Sequence, residues 1–181
     1  MMVKIMANDL NLGKQKPDIT CIREFKTNDA EDVSVLIYTT LRTSLVNDYS
    51  PEYIEEYVNL LQPEEIIRRA EEFHTYVAEV DGRIIGCGSI GPFWGSEEES
   101  GLFTIFVHPE YQRRGIGRKL IETLEGDEFF LRAKRVEVPA SITATPFYLK
   151  MGYHYKNGIT EPDEEQLIRL EKFHNDSIEL L

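Results

Sequence analysis

The sequence predicts an α+β domain: one central mixed, mostly antiparallel sheet of about six to seven strands, flanked by helices. Three observations lead there. Apolar residues keep helical spacing between residues 27 and 73, switch to period two between 75 and 90, and run continuously through 102–107 before helical and strand-like stretches alternate. The dipeptide Asp81-Gly82 separates two strand-like runs, which is a strong hairpin signal because Gly accepts the positive φ of a tight turn. The chain has 181 residues, 41% of them hydrophobic and 10% aromatic, enough for one globular core and too few for two.

Element by element, Ile19–Phe25 reads as a first strand. The run Thr27-Asn28-Asp29-Ala30-Glu31-Asp32 supplies cap-like residues and acids ahead of a helix carrying Val33, Leu36, Ile37, Thr40 and Leu41 at helical spacing. A helix pair follows, opened at Ser50-Pro51-Glu52 and Gln62-Pro63-Glu64, because proline suits a first helical turn. Thr75–Val80 and Arg83–Ile90 form the hairpin, Gly91–Gly101 a loop, and Leu102–Val107 an apolar strand buried on both faces. A helix runs from Gly115 to about Arg132, with Ile116, Leu120, Ile121 and Leu124 as its apolar stripe and Gly126 as a bend or stop. Arg135–Ala140 is a strand, Thr145-Pro146 opens a short helix closed by Gly152, and Tyr153–Lys156 with Gln166–Phe173 make a last strand pair. Residues 1–17 read as a polar arm and 18–181 as a single domain.

The 20 Lys and Arg against 32 Asp and Glu leave a formal charge of −12. A polyanion would be repelled by most of that surface, so nucleic acid and anionic membrane are poor partners, whereas a cationic small molecule or basic peptide would be drawn in. Cys21 and Cys87 make neither a disulfide framework nor a metal pattern, and both are expected as plain buried thiols. The N-terminal stretch lacks a signal-peptide h-region and no run reaches membrane-spanning length, so a cytoplasmic location is expected.

The most informative stretch is Val107-His108-Pro109-Glu110-Tyr111-Gln112-Arg113-Arg114-Gly115-Ile116-Gly117-Arg118-Lys119-Leu120. A strand runs into a Gly-containing turn that opens a helix. The first N–H groups of a helix have no internal partner, and the helix dipole adds positive charge there. Gly115 and Gly117 leave those groups open to a pyrophosphate, and Arg113, Arg114, Arg118 and Lys119 reverse the sign of an otherwise acidic protein. The stretch is not a Walker A loop, which needs G-x-x-x-x-G-K-[ST]. Nor is it a dinucleotide fingerprint, whose third Gly would stand where Leu120 stands.

What remains is Q-x-x-G-x-G at Gln112, Gly115 and Gly117, after V-H-P and before Phe147-Tyr148-Leu149-Lys150-Met151-Gly152-Tyr153. In these motifs the chain resembles the GNAT superfamily of acyl-CoA-dependent N-acetyltransferases. The architecture corresponds over roughly 19–173, the specific motifs over about 102–155. The resemblance implies acetyl-CoA as cofactor, with its pyrophosphate on the backbone amides of Arg113 and Ile116–Lys119. Gln112, Arg114, Gly115 and Gly117 complete that loop, with Ile105, Phe106 and Val107 on the preceding strand and Tyr148 beside the thioester. It also implies an irregularity in Leu102–Val107 that parts this strand from Arg135–Ala140, and an oxyanion donor near Phe106.

Acetyl transfer to an amine requires deprotonation of the amine, stabilisation of an oxyanion and a proton for the departing thiolate. Tyr148 is the expected donor to sulfur, since a phenol of pKa about 10 lies close enough to a thiol of about 8.5. For the base, the strand Leu102–Phe106 offers no acid; Glu137, Ser141 through a water, Glu79 and His108 are the candidates, with a water chain as another route. The acceptor pocket is expected around residues 40–73 and the last two connecting loops, walled by Tyr49, Tyr53, Tyr57, Phe93 and Trp94. Asp48, Glu52, Glu97–Glu99 or Asp163–Glu165 would attract a cation. The expected activity is transfer of acetyl from acetyl-CoA to a primary amine of a small molecule or peptide by direct attack in a ternary complex. A non-catalytic acyl-CoA sensor is the alternative. Neither metal nor nucleic acid is expected; a homodimer is left open.

Overall fold

The computed structural model describes residues 21–174. The expected arm over 1–17 and the first strand's Ile19 and Thr20 lie outside them. Strand β1 (Cys21–Glu24) leads through a 3-10 turn at Thr27–Asp29 into α1 (Ala30–Ser44), α2 (Pro51–Leu60) and α3 (Pro63–Ala70). The hairpin β2 (His74–Val80) and β3 (Arg83–Pro92) turns at Asp81 and Gly82, both at positive φ, +50° and +75°. Then come β4 (Glu99–Val107), α4 (Ile116–Glu125), α5 (Glu128–Arg132), β5 (Arg135–Ala140), α6 (Thr145–Lys150), β6 (His154–Tyr155) and β7 (Ile168–Phe173).

These strands form one seven-stranded sheet in the order β1-β2-β3-β4-β5-β7-β6. Only β4 and β5 run parallel; every other neighbouring pair is antiparallel. The expected α+β architecture is borne out. Helices cover both faces. The inward residues of α1, Val33, Leu36, Ile37 and Leu41, pack with α2, α3 and the strand residues Val77 and Cys87. Ile116 and Leu120 of α4 pack on Ala78, Val80 and Ile85, and Ile121 and Leu124 continue that layer over Leu102 and Val136. At about 25 cal/mol per Å² these apolar stripes supply the main force holding helices to sheet.

Four expectations need correction. The Gly91–Gly101 segment is not wholly loop: β3 runs to Pro92, β4 starts at Glu99, and Gly91 pairs with Gly101. These glycines serve close packing inside a sheet. A Cβ on Gly91 would stand 2.1 Å from Phe73 Cδ1, and one on Gly101 2.4 Å from Phe103 Cζ. The helix after Gly115 breaks into two: Gly126 ends α4 and the Asp127 carboxylate caps α5 by accepting from Phe129 N–H at 2.8 Å. Cys87 is buried, but Cys21 is exposed on the edge strand. Finally, Phe103–Val107 is only half-buried, because one side of β4 opens into a cavity.

Replacing Gly91 by Ala is expected to cost about 1–3 kcal/mol in urea unfolding, as Phe73 is driven off Phe103. An unchanged midpoint would contradict the close packing described here.

Candidate active site

Strand β4 is the axis of the site. It pairs with β3 as Ile90↔Leu102 and Ser89↔Phe103, then as Cys87↔Phe106 and Gly86↔Val107, so Thr104 and Ile105 both face Gly88. This is a β-bulge. Thr104 sits at φ +53°, a conformation a β-branched residue adopts at a cost of about 1–3 kcal/mol. Its carbonyl accepts a hydrogen bond from Cys87 Sγ at 3.3 Å, and burial pushes that thiol up to about 12, so it stays a neutral donor.

On its other edge β4 stays with β5 only through Glu99↔Arg135, Ser100↔Val136 and Gly101↔Glu137, while β5 continues beside β7 to Ala140. The two strands part beyond that point. A cavity of about 140 Å³ lies in the gap, walled by Leu102–Phe106 of β4, Val138 and Pro139 of β5, and residues of α1–α3 and α6. At about 30 Å³ per water molecule, it holds a small group rather than a folded chain.

The closed end of the gap is fixed by charge. Arg135 donates to Glu99, Glu137 and Glu171 at 2.8 to 3.1 Å, and Lys156 Nζ donates to Glu137 Oε2 at 2.7 Å. The Glu137 side chain is 2% exposed. A buried carboxylate survives only when paired, and here two cations share one of its oxygens while Arg169 stands 4.0 Å from the other. Glu137 therefore lies outside the cavity, in a clamp between β4, β5 and β7. This departs from its expected role as base.

Past Val107 the chain forms the cradle. Gly115 is the N-cap of α4 at φ +85°, without a capping side chain, and the first internal bond is Lys119 N–H to Gly115 C=O at 3.1 Å. The N–H groups of Ile116, Gly117 and Arg118 precede that bond and face outward along the helix axis. A Cβ on Gly115 would meet nothing within 4 Å, so the cap opens to solvent; one on Gly117 would come within 3.3 Å of Phe147 Cζ. Arg113 takes φ +60°, turning the loop toward the helix start. Arg114 stacks on the Tyr111 ring at 5.2 Å, and among the described residues Arg113, Arg114, Arg118 and Lys119 make no ion pair. Gln112 works differently: its Nε2 donates to Val107 C=O at 3.0 Å and Ser44 Oγ at 3.2 Å, fastening the loop to β4 and α1. The donor set suits a pyrophosphate.

Tyr148 on α6 lines the cavity together with Ser141, Ile105 and Phe106. Tyr148 is 5% exposed, and burial alone raises its pKa, so the hydroxyl keeps its proton throughout the neutral range. Ser141 Oγ accepts from Ala144 N–H at 3.2 Å and so also caps the entry to α6. The other two base candidates stay outside. Glu79 is held by Arg23 at 2.8 Å. His108 caps the following 3-10 turn through Nδ1, and burial and Arg83 lower its pKa.

The acceptor side departs from its expected polarity. Tyr49, Tyr53 and Tyr57 do form a wall, stacked at 4.8 and 5.7 Å. Phe93 instead packs under Arg135 and Lys156, and Trp94 is 90% exposed. None of the acids expected to draw a cation lines the cavity: Glu98 pairs with Lys134, Glu99 with Arg135, Asp163 and Glu165 with Arg169, and Asp48 accepts from Thr143. The one charged residue in the wall is Arg69 of α3.

The model of the Acetyltransferase (GNAT) family matches residues 38–153. This chain belongs to that family. GNAT enzymes transfer acyl groups from acetyl-CoA, which identifies the pyrophosphate that the cradle suits. The uncharacterized N-acetyltransferase YafP of Escherichia coli (strain K12) is 25% identical over 132 residues, covering 73% of this chain and 79% of its own. A GCN5-related N-acetyltransferase from Rhodopseudomonas palustris shares the fold with a TM-score of 0.70 at 22% identity, over 89% of this chain and 99% of that one. The PaiA N-acetyltransferase of Thermoplasma acidophilum, solved in complex with coenzyme A, gives 0.70 at 20% identity over 85% and 98%. Among the described residues no helix is long and apolar enough to cross a membrane, and no cluster of His, Cys, Asp and Glu is placed to hold a metal ion.

The irregularity that the resemblance implied in Leu102–Val107 is present, but sequence reasoning did not single out Thr104 as its residue and missed the roles of Cys87 and Arg69. For Arg69 a signal existed: it follows the buried Ile66 by three residues, a cation on the apolar stripe of a short helix. For Thr104 there was none.

Replacing Glu137 by Gln leaves Arg135 and Lys156 around a neutral amide, and unfolding stability should fall by about 3–5 kcal/mol. Full stability with a lost rate would instead return Glu137 to the chemistry.

Proposed function

We propose that this GNAT domain acetylates a primary amine by direct attack within a ternary complex, with Tyr148 protonating the departing sulfur. One observation carries the reading: β4 parts from β5 at a cavity lined by Tyr148, and its far end at Val107 leads directly into the loop that opens α4. Bound acetyl-CoA supplies an activated acetyl carbon and a thiolate leaving group. The amides of Arg113, Ile116, Gly117 and Arg118 hold its pyrophosphate, aided by the basic side chains around them; the Lys119 N–H, expected among these donors, is spent on Gly115 C=O, so Lys119 adds only its side-chain charge. Ile105, Phe106 and Val107 flank the arm that follows, with an amide near Phe106 for the oxyanion.

The amine nitrogen bonds the acetyl carbon as the carbon–sulfur bond breaks. The amine's excess proton leaves to water, for which Ser141 Oγ in the cavity wall is a relay. A second proton passes from the Tyr148 hydroxyl to sulfur, and solvent returns it. Burial raises the pKa of that hydroxyl, which keeps it protonated through the neutral range but also makes it a weaker acid, so its proton moves only as charge builds on the departing sulfur. With no carboxylate or imidazole in the cavity wall, the attacking amine is the fraction already neutral.

The missing base also favours a second reading, a non-catalytic acyl-CoA sensor, and Tyr148 separates the two. In Tyr148→Phe, an enzyme should lose about 10²-fold or more in kcat with unchanged affinity for CoA, whereas a sensor should respond in neither.

Calorimetric titration should show micromolar binding of acetyl-CoA, abolished in Gly117→Glu, whose carboxylate would crowd Phe147 and repel phosphate. An unliganded result for the parent protein would overturn the assignment. For amines of pKa near 10, kcat/KM should climb about tenfold per pH unit from pH 7 to 9. A plateau starting near pH 6–7 would reveal a protein base and contradict the mechanism.

A further inference from the structure

The site as described has a polarity that acetyl transfer alone does not require. Two positive spots stand out in a chain of net charge −12. The first is the cradle beyond the C-terminal end of β4. The second is Arg69, at the other end of the same strand: four residues after it Phe73 stacks on Phe103, ring centroids 5.0 Å apart, and Phe103 and Arg69 both line the cavity. Between them lies the bulge at Thr104–Ile105, where the acetyl carbon is to be presented. A ligand reaching from the bulge toward Phe103 therefore meets a guanidinium.

That guanidinium is only partly engaged. Glu65 Oε1 accepts from Arg69 Nε at 2.8 Å, and the same carboxylate also takes Nε and Nη2 of Arg68, each at 2.8 Å. Glu72 contacts Arg68 from its far side at 3.2 Å. Among the described residues neither terminal nitrogen of Arg69 has a hydrogen-bond partner. Glu65 thus fixes the guanidinium by one edge and leaves the two-pronged edge free, the arrangement that matches a carboxylate. Tyr57 lines the same cavity, and its hydroxyl has no hydrogen-bond partner among the described residues. An acceptor bearing a second cation would face Arg69 with no carboxylate in the wall to offset it.

Resting on the acetyltransferase reading above, we infer that the acceptor is a small amine that also carries a carboxylate, of amino-acid type. Arg69 and Tyr57 hold the carboxylate at the Phe103 end of β4, and the amine points to the bulge. Arg69 is then the residue that sets acceptor class, and a polyamine is disfavoured.

The test uses the whole protein saturated with CoA. Calorimetry would measure binding of the twenty common L-amino acids, of 2-phenylethylamine, 3-methylbutylamine and 3-(methylthio)propylamine as the carboxylate-free partners of Phe, Leu and Met, and of 1,4-diaminobutane. At least one amino acid should bind, about 10- to 100-fold tighter than its carboxylate-free partner. Arg69→Gln should erase that preference while leaving CoA affinity unchanged, and Arg69→Glu should shift binding toward the diamine. Equal binding of acid and amine, an unaltered preference in Arg69→Gln, or binding of the diamine alone would each overturn the proposal, as would silence from all twenty amino acids. Failure of the preceding titration with CoA would instead count against the cofactor reading, so the two claims fall separately.

Discussion

Everything functional in this domain depends on one backbone event, the parting of β4 from β5. Parallel neighbours in a sheet satisfy each other's N–H and C=O groups, so separating them exposes polar backbone that must find other partners. The chain solves this with a bulge on one edge of β4 and a charge clamp on the other. The bulge puts Thr104 at φ +53° and turns its carbonyl to the Cys87 thiol at 3.3 Å. The clamp gathers Glu99, Glu137 and Glu171 around Arg135, where the strands are still paired. The strain at Thr104 and the buried charge of Glu137 would both be unfavourable alone. Together they define where the sheet stays shut and where it opens.

Because the gap begins at a fixed residue, the groups along it fall in a fixed order. In the proposed reaction Phe103 would mark the acceptor end and Thr104–Phe106 the reacting centre, while Val107 leads to the loop before α4. Val107 is tied through its carbonyl, which accepts from Gln112 Nε2 at 3.0 Å, and the same Nε2 reaches Ser44 Oγ at the end of α1 at 3.2 Å. These bonds join the cradle, β4 and α1 into one unit, so the distance from helix start to bulge is set by packed structure rather than by a loop. Gln112 is accordingly a positioning residue whose side chain is already spent.

How far the sequence foretold this depends on whether a feature is local. The stripe Ile116, Leu120, Ile121, Leu124, the turn at Asp81-Gly82 and the proline-led starts of α2 and α3 are written in short spacings, and all stand as expected. The cradle was readable because helix-end electrostatics need only Gly115, Gly117 and the basic residues beside them. Gly91 and Gly101 misled because a glycine that makes room for Phe73 and Phe103 looks the same in sequence as one that turns the chain. Glu137 misled for a related reason. A carboxylate on a central strand invites a catalytic role, and only the approach of Arg135, Lys156 and Arg169 from separate segments shows what neutralises it. The acidic loops likewise suggested a cation-seeking pocket, yet Glu98, Glu99, Asp163 and Glu165 pair with Lys134, Arg135 and Arg169 instead. The bulge at Thr104 had no local signature, since it reflects how β3 and the open edge of β4 are satisfied together.

The cavity wall itself divides into groups that are spent and groups that are not. Tyr49 donates to Gln166 C=O at 3.1 Å and accepts from Ile142 N–H at 3.2 Å, and Tyr53 donates to Glu165 C=O at 2.9 Å. These bonds tie the start of α2 to the loops before α6 and β7, and the stacked rings hold the mouth in one shape. Tyrosine has few rotamers to lose, so such a wall is organised before any ligand arrives. Selectivity must then come from polar atoms left without partners, because a satisfied group gains little by exchanging one bond for another. Among the described residues such side-chain atoms in this wall include the Tyr148 hydroxyl, the Tyr57 hydroxyl and the outer edge of Arg69. In the proposed reaction the first would serve the leaving sulfur. In the inferred acceptor site the other two would face the substrate, and a cationic edge beside a free hydroxyl suits an anion.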